Sequence, residues 1–64
     1  MKTFGVFRRN RDGWALFVSW AESLEDSKKQ IEDLARSNGN FSYYVHDFRR
    51  HAEVWSWSPA HDVS

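Results

Sequence analysis

Few side chains in this sequence could do acid–base or ligand chemistry: there are three histidines, His46, His51 and His61, and no cysteine. A general base needs a partner to hold its imidazole, and the spacing offers one such pair, His46 facing Glu53 across a hairpin. Its commoner role is a surface hydrogen bond. A metal site would have to draw on His46, Asp47 and His51, but strand neighbours point to opposite faces, so His46 and Asp47 diverge. Without cysteine there is no thiolate nucleophile or ligand, and no glycine-rich loop cradles a phosphate. The expected protein is not an enzyme: no catalytic residue, metal ligand or cofactor is assigned.

Aromatics and arginines carry the remaining chemistry. Strand-like stretches hold Phe4, Phe7, Trp14, Phe17, Trp20, Phe41, Tyr43, Tyr44, Phe48, Trp55 and Trp57. Arg8, Arg9 and Arg11 form one basic cluster and Arg49, Arg50 and His51 another, while the segment from Glu22 to Asp33 is rich in acid. Nine Lys+Arg offset nine Asp+Glu, so the whole chain has no electrostatic pull toward nucleic acid or anionic lipid.

The elements that position these residues follow from turn and cap signals. Asn10-Arg11-Asp12-Gly13 has the residues of a type I turn closed by a left-handed glycine, joining strands over 3–9 and 14–20. Pairing Asn10 with Trp14 sets Val6 opposite Val18 and Phe4 opposite Trp20 on one face, with Leu16 beside them and Phe7 and Phe17 on the reverse. Ser23 is an N-cap with Asp26 three residues on. Leu24, Ser27, Ile31, Leu34 and Ala35 then form one helical stripe, and Gly39 is the expected stop. Glu25 with Lys29 and Glu32 with Arg36 add pairs at four-residue spacing.

A second hairpin spans 41–48 and 52–57, its tip near Arg49-Arg50. With Val45 opposite Val54, Tyr43 and Ala52 join the helix-covered face. Tyr44, His46, Glu53, Trp55 and Trp57 then point the other way; the opposite register would bury Trp55 and Trp57 beside Tyr43. The expected fold is a single α+β domain over 1–58, a four-stranded antiparallel sheet in the order ββαββ with one helix on one face, followed by a frayed tail at 59–64. Strand orders 2-1-3-4 and 1-2-4-3 both satisfy the connections. Either puts the Arg11 and Arg49-Arg50 turns at opposite ends. The expected core is Val6, Leu16, Val18, Ile31, Leu34 and Val45.

One helix covers one face of one sheet, so something else must meet the second face. A chain of 64 residues buries only about 60% of its extended surface, and without disulfides or a thiolate metal site self-association is the remaining staple. The expected function is non-catalytic protein binding through Phe7, Phe17, Tyr44, Trp55 and Trp57, either as a homodimer or on a larger protein that is modulated or inhibited. Small ββαββ units that inhibit an enzyme by occupying it occur among bacterial and phage proteins. That resemblance is one of arrangement and transfers no residue. The alternative is single-stranded nucleic acid stacked on the aromatic face, with Arg8, Arg9, Arg49 and Arg50 as clamps. The longest apolar run, Trp14 to Val18, cannot span a membrane, and no apolar targeting segment opens the chain, so a cytoplasmic location without a membrane partner is expected.

Overall fold

A computed structural model describes residues 3–59. The tail residues 60–64, with His61, lie outside the described residues; Pro59 is half-buried.

Strands β1 (Phe4–Arg9) and β2 (Ala15–Ala21) are joined by the expected turn. The Gly13 amide donates to the Asn10 carbonyl at 3.0 Å and the Asn10 amide to the Trp14 carbonyl at 2.8 Å. Gly13 takes φ +94°, a conformation that side chains beyond glycine rarely adopt. The register runs as expected through Arg9↔Ala15, Arg8↔Leu16 and Phe7↔Phe17. It then slips: Val6 pairs with Ser19, Gly5 with Trp20 and Phe4 with Ala21. Val18 is the extra residue of a β-bulge, which inverts the parity of everything after it. The expected pairs Val6–Val18 and Phe4–Trp20 do not form, and Trp20 turns to the face away from the helix.

Helix α1 (Leu24–Ser37) starts where its cap signal places it, the Ser23 hydroxyl accepting from the Asp26 amide at 3.0 Å. It ends at Asn38, whose amide donates to the Leu34 carbonyl at 2.8 Å, rather than at a left-handed Gly39. Arg36 bonds Asp33 rather than Glu32. Ile31 and Ser27 are buried, and Leu24, Leu34 and Ala35 pack around them, as the stripe requires. Gln30 bridges to β2, accepting from the Ser19 hydroxyl and donating to the Trp20 carbonyl at 3.1 Å.

Strands β3 (Ser42–Asp47) and β4 (Ala52–Trp57) complete a wholly antiparallel sheet in the order β2-β1-β3-β4. Their turn holds His51 at φ 55°. The register begins at Asp47↔Ala52 and His46↔Glu53, then jumps to Val45↔Trp55 and Tyr43↔Trp57. Val54 is the extra residue of this second bulge. It turns Trp55 and Trp57 under the helix side, where they pack on the core beside Tyr43, against the expected outward placement.

The core is Val6, Ala21, Ile31, Tyr43 and Val45. Leu34 packs against it, but Leu16 and Val18, expected inside, are 45% and 37% exposed. Past the bulge, Ser19 and Ala21 take the positions beneath the helix that alternation would have given to Val18 and Trp20. Among the described residues no helix is long and apolar enough to cross a membrane. Ile31→Ala should therefore cost about 2–5 kcal/mol, and Leu16→Ala about 1 kcal/mol or less, in urea or thermal melts. Equal losses would place Leu16 in the core after all.

Candidate interaction surface

The side of the sheet away from α1 carries one aromatic cluster centred on Phe7 of β1. Phe7 stacks on Tyr44 of β3, with centroids 5.1 Å apart and planes at 7°, and meets the ring of Phe17 of β2 edge-on at 5.5 Å. Phe17 contacts Trp20 at 5.1 Å, Trp20 contacts Phe48 at 5.3 Å, and Phe48 contacts His46 at 4.6 Å. These offset and T-shaped geometries are the ones that ring quadrupoles favour. The floor is Gly5: a Cβ there would lie 2.7 Å from Phe48 Cε2 and 3.0 Å from Phe7 Cε1, so only glycine lets both rings close over the strand.

Phe7, Phe17 and Tyr44 are thus brought together as expected. Trp55 and Trp57 are not: Trp55 lies beneath Lys28 of the helix, Nζ 5.6 Å from its ring, and Trp57 sits 6.0 Å from Tyr43. Sequence reasoning put His46 on this face, where it meets Phe7 and Phe48, but missed Trp20 and Phe48 as members of the cluster. No residue type announces the Val18 bulge that turns Trp20 outward, and in β4 the adjacency of Val54 and Trp55 is only a weak hint. Two adjacent strand residues that both need burial can share a face only at a bulge.

The arginines do not form one clamp. Arg8 projects to the helix side with its guanidinium 4.4 Å from the Phe41 ring centroid, and its Nε is buried without a hydrogen-bond partner. Arg9 lies over Tyr44 at 4.6 Å and pairs with Glu53 at 3.6 Å. Arg50 is 3.7 Å from the buried Asp47, whose other oxygen accepts from the Arg49 amide at 2.9 Å. As expected, the two basic turns occupy opposite ends of the sheet: Arg9 pairs with Ser42 at one end and Phe4 with Asp47 at the other. Polar clefts of about 490 and 570 Å3 adjoin these ends, one beside Arg9 and Arg11, the other beside Arg49 and Arg50.

His46 and Glu53 face each other across the hairpin, but the Glu53 carboxylate turns to Arg9 and the imidazole to Phe48. Asp47 occupies the other face of β3. Among the described residues no group of three or more His, Asp or Glu side chains is placed to hold a metal ion. What the surface offers is desolvation and ring contact. Comparison with protein-family models, curated proteins and solved structures finds no match.

Gly5→Ala is expected to lever Phe48 off the cluster, changing the near-ultraviolet circular dichroism while the far-ultraviolet spectrum holds, at about 1–3 kcal/mol. In a Phe48→Ala background the same change should cost clearly less. Strict additivity would mean that Phe48 does not lie over Gly5.

Proposed function

We propose that the protein is a small non-catalytic binding module that docks protein on the face built from Phe7, Phe17, Trp20, Tyr44 and Phe48. The occupant is a larger protein, which it modulates or inhibits, or a second copy of the chain. The observation that carries this reading is that the cluster has no cover but itself: Phe17, Trp20 and Phe48 remain 49%, 47% and 39% exposed. Together these three leave roughly 300 Å2 of ring surface in water, the size at which the largest patch on a monomer is often functional.

Single-stranded nucleic acid is the competing occupant of an aromatic sheet face. Three features support protein instead. The net charge is zero, Arg8 faces the other side of the sheet, and Arg9 is already paired with Glu53. Phosphate contacts supply most nonspecific affinity, and few charges here are free to make them.

The test is affinity capture from cytoplasmic lysate, a cytoplasmic location being part of the proposal, beside titration with random single-stranded oligonucleotides. A captured protein should survive high salt, and Trp20→Ala should weaken it by about 2 kcal/mol, some thirtyfold. Oligonucleotide binding should be undetectable at physiological salt. Saturable oligonucleotide binding that falls steeply with salt, its slope flattened by loss of Arg49 and Arg50, would replace this reading with the nucleic-acid one.

A further inference from the structure

The two edges of the sheet are defended unequally. Edge strand β4 carries a charge, Glu53, and is followed by Pro59, both devices that discourage pairing with another chain. Edge strand β2 has neither: Trp14 through Ala21 contains no charged residue and no proline. Every large hydrophobic side chain that is exposed among the described residues, Phe48 apart, belongs to Trp14–Trp20. The free length is limited at one end. The Val18 bulge breaks the ladder, and Gln30 already occupies the Trp20 carbonyl, so the open stretch is Trp14–Val18.

We propose that this stretch pairs antiparallel with the same stretch of a second copy, on a two-fold axis through Leu16, joining two four-stranded sheets into one of eight. This pairing goes beyond the docking reading: it uses the edge of the sheet and leaves the aromatic face open. Antiparallel alternation counted from the Asn10–Trp14 bond turns the backbone groups of Ala15 and Phe17 outward, away from β1. A symmetric pair centred on Leu16 sets Ala15 opposite the second copy's Phe17 and Phe17 opposite its Ala15, with both pairs exchanging backbone hydrogen bonds.

The side chains are self-complementary in that register, which also keeps the pairing within the open stretch. Residues opposite each other share a face, so the small Ala15 leaves room for Phe17 on the aromatic side. On the helix side Trp14, 70% exposed, meets Val18, and Leu16 meets Leu16. A shift of two residues one way puts Trp14 opposite Leu16 and Phe17 opposite Gly13; the other way it sets Phe17 on Phe17 and runs Ala15 onto Ser19, beyond the bulge and outside the open stretch. Charge does not oppose the pairing. The Arg11 turn of each copy comes close to the level of the other's Glu22, and the two Arg8 residues stand three strand spacings apart, roughly 14 Å, beyond a Debye length. Both Phe17 rings stay on the open side, so the two aromatic clusters become one continuous surface.

The contact is smaller than the roughly 800 Å2 per partner of a standard interface, so dimerisation is expected in the micromolar range or weaker. The test is light scattering and amide hydrogen exchange on the full chain from low micromolar to millimolar concentration. Mass should rise toward two chains, and exchange at Ala15 and Phe17 should slow in step with it. Ala15→Pro should abolish both. The Ala15 amide takes no part in the ladder with β1, so a proline there leaves the monomer folded, as far-ultraviolet circular dichroism will check. Leu16→Lys should give the same result independently, whereas Trp20→Ala should leave the dimer in place. A monomer at every concentration overturns the edge pairing and leaves docking of a larger protein standing. A dimer that survives Ala15→Pro and is lost with Trp20→Ala also overturns it, in favour of face-to-face association. Failure of the broader reading would appear elsewhere, as no captured protein sensitive to Trp20.

Discussion

Val18 and Val54 each occupy an extra position in an edge strand, and that one device decides which aromatic rings meet the helix and which meet water. A bulge places two successive side chains on one face and reverses the alternation beyond it. In β2 it seats Ser19 and Ala21 under the helix and sends Trp20 outward; in β4 it carries Trp55 and Trp57 inward. The core depends on both events. A helix of 14 residues covers β1 and its neighbours but leaves β4 at its margin, and the two tryptophans fill that margin beside Tyr43 and Lys28.

The uncovered face survives in water because its rings cover one another. Phe7 holds contacts to Tyr44, Phe17, His46 and Phe48 at centroid distances of 5.1 to 6.4 Å, so its own ring is half-buried without any helix above it. Gly5 permits this by letting Phe48 and Phe7 fold down over the strand. The cluster is thus a second, smaller core with its outer half missing. Its interior rings contribute to stability, and only the outer edges of Phe17, Trp20 and Phe48 remain in water.

How far these features can be read from residues alone divides along physical lines. Local signals were decisive where the chain's own backbone chemistry fixes the outcome. The Asn10–Gly13 turn, the Ser23 cap and the Ile31 stripe all appear where their residue types require, and the connections then limit the sheet to two strand orders. The bulges were illegible because no residue type commands them. In Trp14–Trp20 and Ala52–Trp57 both parities are apolar, and in such strands tertiary packing rather than strict alternation chooses the register. Strict alternation misplaced Val18 and Trp20 on one edge and Trp55 and Trp57 on the other, whereas Leu16 keeps its expected place opposite Arg8 and is exposed there on the edge strand. The cluster's centre, Phe7 with Phe17 and Tyr44, was correct because it lies on the unslipped parts of the ladders.

The bulges also bear on association. They are among the devices that blunt sheet edges, since an interrupted ladder cannot template a long partner strand. In β4 the bulge adjoins Glu53 and the strand is only 6 residues long, so little free edge is left. In β2 the bulge sits late, and Gln30 seals the carbonyl beyond it, so the stretch from Trp14 to the bulge keeps exposed side chains and outward backbone groups at Ala15 and Phe17. A short open stretch of this kind is long enough to pair once and too short to propagate. Because β4 is closed to the same event, growth at the sheet's two ends is unequal, and the proposed pairing through β2 would end at two copies instead of continuing into a fibre.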